Sequence, residues 1–512
     1  MMAEQAPPLP PLRPSALQRV RARWRELAAR RPWVDGALTR VHLPLLALFA
    51  ASRLALQATG IRFNLDLAWM FLADPAALSS HLLETVFYFH AFAPGTNILT
   101  GLLLKIAPDH LQTAAATVFF ASGYLLFVSM FQLARVIGLG SRAALLLSVA
   151  FSLLPQSIYF ENLYLYTHLC TSLSCLAALL FVRALRVGSW RAWLAFYATC
   201  TGLGWLYTTY HLLWFCMMVG GGLLLADRGR RRRVLLGAAA PAALFVALYL
   251  KNYLVFGVFG ATTWGGANLT LATTHRMQPA LRERWIREGK LSPFAAISVF
   301  APPDQYLRFF PADLHFPWPG SNELWRPSLR EPNYNHGLFL AVNRQRREDS
   351  LEFIRSRPRD YVATVLGKNL PGLFGSSTHW HPRDASPKAP HYQHRQALGA
   401  YERAYDALVH RLPIRGVGLY ALLPIFCAWA LRSVWRGFRR REPARGRRTE
   451  LLAFCLFQVC FVVGASCLFT SQEASRYRYG VEPFIWLIVT AGVLAARQRV
   501  ARRARELDAQ PA

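Results

Sequence analysis

The sequence predicts an all-α polytopic membrane protein of about ten spans, with an interfacial helix in the first external loop and a mixed external domain. Three observations predict it. The 512 residues are 54% hydrophobic, and the apolar ones gather into blocks of bilayer length. The formal charge of +30 falls in short basic runs between those blocks, as at Arg228 to Arg233, Arg436 to Arg448 and Arg497 to Arg505. One long stretch, 257–410, carries many Pro, Trp, His and Asn residues but no apolar run long enough to span.

Taken in order, residues 1–40 form a Pro-rich, then Arg-rich segment. The apolar block Val41 to Leu56 follows with no small-residue cleavage site close after it, and reads as a retained first span. Spans are expected at 41–58, 112–134, 143–160, 163–182, 192–209, 211–226, 234–256, 413–432, 451–470 and 479–496. The block Asn97 to Ala107 is too short to cross. Were it a span, the later Arg-rich connections would change sides and break the positive-inside rule, so it is read as re-entrant or interfacial. This map puts both termini in the cytoplasm. It divides the chain into a basic segment (1–40), a first transmembrane module (41–256, with the external loop 62–95), an extracytoplasmic domain (257–410), a second transmembrane module (411–496) and a basic tail (497–512). Within the external domain, helices are expected at Leu340 to Arg355 and Asp360 to Leu370, separated at Pro358. No repeat of solenoid or propeller length is visible.

Several function classes drop out. Basic runs beside apolar blocks fit anionic lipid, and no basic domain remains to bind nucleic acid. All eight cysteines lie in apolar blocks, without zinc or disulfide spacing. His379, His381, His391 and His394 are interleaved with Tyr, Pro and Ser and pair with no carboxylate at a recognised spacing, so no metal is expected. There is no phosphate-cradling glycine loop, Walker lysine or nucleophile elbow. Asn268-Leu-Thr270 is a common glycosylation tripeptide on the expected outer side.

The polar residues that remain cluster on the outer face. Asp74 before Pro75 starts a helix whose Leu78, Leu82, Val86 and Phe89 recur at helical spacing along the membrane surface. Asp66, Asp74 and Glu84 are the candidate general bases at headgroup level. Asp74 also fits a helix cap, and Glu84 the solvated side of the surface helix. Asp66 has no visible capping or pairing role in Phe63-Asn-Leu-Asp-Leu-Ala-Trp69. Glu161, His168, His211, Glu473, Arg476, Arg478 and Glu482 fall near outer span ends, which suggests a polar cavity. Arg476 and Arg478 suit phosphate oxygens, or alternatively interfacial anchoring with Tyr477 and Tyr479.

Leu250-Lys-Asn-Tyr-Leu-Val-Phe-Gly257 with Trp264-Gly-Gly-Ala-Asn268, Phe87-Tyr-Phe-His-Ala-Phe-Ala-Pro-Gly-Thr-Asn97, and Arg476-Tyr-Arg-Tyr-Gly-Val-Glu-Pro-Phe484 resemble segments of the GT-C glycosyltransferases. The resemblance is to bacterial family 39 proteins, relatives of the protein O-mannosyltransferases. It implies a bacterial inner-membrane enzyme that transfers a sugar with inversion from a polyprenyl-phosphate donor to an extracytoplasmic lipid, glycan or protein acceptor. It also implies no cofactor, Asp66 as base, and Arg476 and Arg478 on donor phosphate. Substrate-binding candidates are His90, Asn97, Glu161, His168, His211, Arg476 and Arg478. The chain departs from the family in that Asp66 is followed by Leu67 rather than a second acid, and the large external domain precedes the last three spans. A transporter of lipid-linked substrate would need a similar cavity but no base, and would show inverted halves with broken helices. A noncatalytic partner in envelope polysaccharide assembly would tolerate loss of Asp66 and the arginine pair.

Overall fold

Apolar blocks become helices wherever no proline or polar break interrupts them, because a chain in lipid must satisfy every backbone group within itself. A computed structural model of the chain describes residues 42–311, 314–379, 390–411, 418–440, 446–469 and 474–508. The segment 1–40, His381 and Glu473 lie outside them, as do the side chains of His379, His391 and His394. Residues up to Ala58 form one unit, of which the helix His42–Ala58 is described, and Thr59 onward forms a second. In that first helix Arg53 lies 4.0 Å over the Phe49 ring.

The second unit is a helical membrane protein, with fewer full-length spans than expected. Among the described residues six helices are long and apolar enough to cross, within Pro108–Val136, Tyr166–Val187, Arg228–Phe256, Gly418–Arg439, Gly446–Phe469 and Glu482–Glu506. The expected span 143–160 is a bent pair, Ser141–Ser152 and Pro155–Glu161, turned 65°. Pro155 causes the bend, since it lacks an N–H and disfavours helix at Leu154. Leu212–Leu225 has 14 residues, about 21 Å at 1.5 Å per residue, so the span expected at 211–226 is too short. Trp190–Leu206 has 17 residues, and the break at 207–211 separates the two. Gly95–Ile106 is an apolar helix of 12 residues, also too short to cross.

The helices pack closely where glycine allows it. Tyr166–Val187 packs against Leu111–Val136 and Trp190–Leu206, and the latter against Arg231–Phe256. A Cβ at Gly237 would strike Trp193, and one at Gly204 would strike Phe245, so both glycines set how near the last two helices come. The final helix, Glu482–Asp508, carries the expected span at 479–496 on into the basic tail.

The 257–410 region is not one separate domain. Its first part builds a core from Trp264, Phe294, Tyr306, Leu338, Phe339 and Val342, against which Met70 and Phe92 of the first loop pack. Leu338–Ser356 is the long helix expected there, and it lies on Gly265–Ala272. After Pro358 the chain returns to the spans. Asn369 donates to the Cys467 carbonyl at 2.8 Å, Ser377 to that of Ser475 at 2.7 Å, and Gln156 to the Tyr405 hydroxyl at 2.9 Å.

Candidate functional site

The site forms where the loop 61–94, the ends of the spans and the first part of the 257–410 region meet. The loop is tied at its start: Asn64 donates to the Asn162 carbonyl at 2.8 Å and accepts from Tyr164 at 2.9 Å. The expected surface helix is two short ones, Pro75–Ser80 and Leu82–Phe87, broken at His81. Asp74 caps the first, accepting from Ala76 at 2.9 Å and Ala77 at 3.4 Å. Its second oxygen accepts from the Ser328 amide and hydroxyl, both at 2.8 Å, which leaves the carboxylate engaged on both sides. Asp74 is thus a structural group. Glu84 is exposed on the second short helix and is absent from the cavity wall.

Asp66 is half-buried, and its Oδ1 accepts from Ala68 at 2.8 Å, a local turn that the sequence did not reveal. Its Oδ2 accepts no hydrogen bond among the described residues. Three residues on, Trp69, Met70 and Phe71 form one wall of a cavity of about 80 Å³. Tyr166, Tyr207 and Thr208 from the span ends, Trp264, Asn268 and Phe300 from beyond Gly257, and Arg476 with Tyr477 complete it. Asn268, the acceptor of the tripeptide 268–270, therefore sits half-buried in a helix facing this cavity.

Arg476 supplies the cavity's positive charge. It is 6% exposed, with its guanidinium carbon 5.4 Å from the Tyr166 ring centre and 5.2 Å from that of Tyr477. Tyr207 stacks on both rings, at 5.0 Å and 5.6 Å. A cation beside aromatic faces is stabilised by their quadrupoles.

Arg478 is not its partner. It is fully buried, with Nε 2.8 Å from Glu482, Nη1 donating to the Leu373 and Gly375 carbonyls at 3.0 and 2.6 Å, and Nη2 to Ser377 at 2.8 Å. The pairing expected on phosphate fails for a simple reason. Both arginines lie on the helix Ala474–Tyr479, where residues two apart point about 200° from each other.

The other expected ligand-binding residues are distributed elsewhere. Asn97 is buried and structural, accepting from Ala73 at 2.7 Å and donating to Phe71 at 3.1 Å, and so shapes the cavity wall from behind. His168 lies in the core between the rings of Phe119 and Tyr479, with its Nδ1 3.1 Å from the Tyr479 hydroxyl. Glu161 is buried at the end of Pro155–Glu161, and His211 lies against Phe461. None of the three lines the cavity. Among the described residues no group of His, Cys, Asp and Glu is placed to hold a metal ion.

His90 is 1% exposed, with Nδ1 2.9 Å from the Thr263 hydroxyl and its amide donating to Asn335 at 2.7 Å. Burial first, and the charge of Lys251 second, push it down from 6.5 to about 3. A neutral folded histidine and a protonatable unfolded one make stability full above pH 6.5 and falling as pH drops from 6.5 towards 3. The slope approaches about 1.4 kcal/mol per pH unit. Melting temperatures of purified protein between pH 7.5 and 5 are expected to fall more steeply for the wild type than for His90→Asn. Parallel curves would remove His90 from the acid response.

Arg326 is the residue that the sequence hid. It lies on a two-stranded hairpin, Trp325–Arg326 with Glu331–Pro332, and is 3% exposed. Its guanidinium donates to the carbonyls of Leu67, Trp69 and Leu72 at 3.1, 3.1 and 3.2 Å, and to that of Ala68. Nothing in the sequence separates it from the rest of the 58 lysines and arginines.

No family model and no curated protein matches the sequence. One solved structure is similar: the crystal structure of ArnT from Cupriavidus metallidurans in the apo state. The match covers 84% of this chain and 78% of that one, at 16% identity and a TM-score of 0.32, a loose likeness.

Proposed function

We propose that the chain is a membrane glycosyltransferase of GT-C architecture. In this reading it moves a sugar, with inversion, from a polyprenyl-phosphate donor to an extracytoplasmic lipid, glycan or protein acceptor. The observation that carries the reading is Arg476, a nearly buried guanidinium in a cavity one wall of which, Trp69 to Phe71, begins three residues after Asp66. A cavity lined by aromatic rings and one cation suits a sugar face joined to a phosphate.

The reaction then runs with few parts. Asp66 takes the proton of an acceptor hydroxyl, whose oxygen attacks the sugar's anomeric carbon from the face opposite the phosphate. The bond from that carbon to the phosphate oxygen breaks, and the oxygen leaves with the electron pair. Arg476 stabilises the developing charge on that phosphate, and its burial strengthens the interaction over what water would allow. Trp69, Trp264 and Phe300 offer apolar faces to the sugar ring.

The test is transfer of labelled sugar from a panel of polyprenyl-phosphate sugars in membranes holding wild type or Arg476→Gln. A charged hydrogen bond worth about 1.5–3 kcal/mol predicts a loss of roughly 10- to 100-fold. Absence of transfer by the wild type with every donor would sink the reading in favour of a transporter or a noncatalytic partner. Transfer unaffected by the substitution would remove Arg476 from the site.

A further inference from the structure

We infer that Arg326 is a positioning residue, the centre of a clasp by which the 326–335 segment holds the first loop in the shape that forms the cavity. The catalytic half of this inference rests on the function proposed above. The structural half does not.

The loop from Asp66 to Ala73 is neither helix nor strand, so its carbonyls have no ladder partners, and buried carbonyls must find donors elsewhere. One planar guanidinium gathers four of them, at Leu67, Ala68, Trp69 and Leu72. These bracket the wall residues Trp69, Met70 and Phe71 and follow directly on Asp66. Nη1 shares three of these carbonyls and Nη2 reaches that of Ala68, so a lysine, with a single nitrogen, would lose the Ala68 contact. Burial pulls Arg326 below the ordinary guanidinium range, and Glu331, Asp74 and Asp66 act against that pull as nearby negative charges.

The clasp has local structure of its own. Arg326 pairs with Glu331 in the hairpin, Arg330 closes the turn at φ +57° with its amide on the Arg326 carbonyl at 2.9 Å, and Asn333 donates to the Gly320 and Glu323 carbonyls. Two further contacts fasten the same segment to the loop. Ser328 donates to Asp74, and Asn335 accepts from His90 and Ala91 while donating to Tyr88 at 3.1 Å. Residues about 250 positions later in the chain thus dictate the loop's path at its start, middle and end.

Hydrogen exchange of the full chain in detergent tests the structural half with Arg326→Lys and Arg326→Ala. The amides of Ala68, Leu72 and Ala73 are expected to exchange at least about tenfold faster in the lysine variant, with Leu111–Val136 and Tyr166–Val187 unchanged. Unchanged loop exchange overturns the inference. Exchange raised throughout the spans also overturns it, because Arg326 would then serve global stability alone. Where wild-type membranes transfer sugar, the lysine variant should lose turnover with little change in KM for the donor. Millimolar guanidinium should restore turnover to Arg326→Ala but not to Asp66→Asn. A loosened loop with full turnover overturns the positioning role. No transfer by the wild type overturns the proposed function instead, and the exchange data alone then decide on the clasp.

Discussion

Arg478→Met is expected to strip the chain of most of its stability, because it leaves a buried carboxylate without its cation. Glu482 is fully buried and ion-paired to Arg478 at 2.8 Å, while Tyr420 donates to its other oxygen and lies 4.5 Å from the guanidinium carbon. Removing one partner of such a pair costs about 3–5 kcal/mol, since the remaining charge has lost its solvent as well as its partner. The loss is compounded at the Leu373 and Gly375 carbonyls, which rely on the same guanidinium. The double variant Arg478→Met with Glu482→Gln should recover part of the loss, as no naked charge remains. Arg476→Gln should melt closer to the wild type than Arg478→Met does, because Arg476 lines the cavity and stands outside the Arg478–Glu482 pair. Thermal survival in detergent, read by size-exclusion fluorescence, makes the comparison. Equal melting of Arg478→Met and wild type would show that the pair contributes nothing net.

Asp66→Asn is expected to abolish sugar transfer while sparing the fold. Asparagine keeps an oxygen for the Ala68 amide, so the turn survives, but it cannot accept a proton. A positioned general base contributes about 10²- to 10⁴-fold to rate, and the loss of turnover should fall in that range. Asp74→Asn provides the control, since asparagine caps helices as well as aspartate does. Glu84→Gln, on an exposed position, should be silent. Label incorporated equally by wild type and Asp66→Asn, at equal protein levels, would remove Asp66 as the base. The assignment would then have to move to a different group near the cavity.

The expectations that held and those that failed differ in range. Asp74 as a cap, the helix expected at Leu340 to Arg355 and the apolar blocks as helices depend on residues within a few positions of one another. Such interactions recur wherever the same short sequence occurs, so they are legible without the rest of the chain. The length of a span is less so. Leu206 to Leu212 carries no proline, yet the chain breaks there, and the helix Leu212–Leu225 falls short of a bilayer. The pairing of Arg476 with Arg478 failed on local grounds, since helical geometry alone turns residues two apart to opposite sides.

By itself the sequence determined that this is a helical membrane protein and that its polar residues concentrate in a few loops, because burial in lipid leaves apolar length and backbone satisfaction as the governing terms. Only the tertiary structure decided which polar residues share a cavity. Arg476 meets Trp69 and Trp264 across hundreds of intervening residues, Arg478 is spent on a buried ion pair, and Arg326 holds a loop 250 positions earlier. The physical reason is that a guanidinium has the same chemistry wherever it stands. Whether it binds a ligand, stabilises a core or fixes a loop depends on which acceptors the fold brings within about 3 Å.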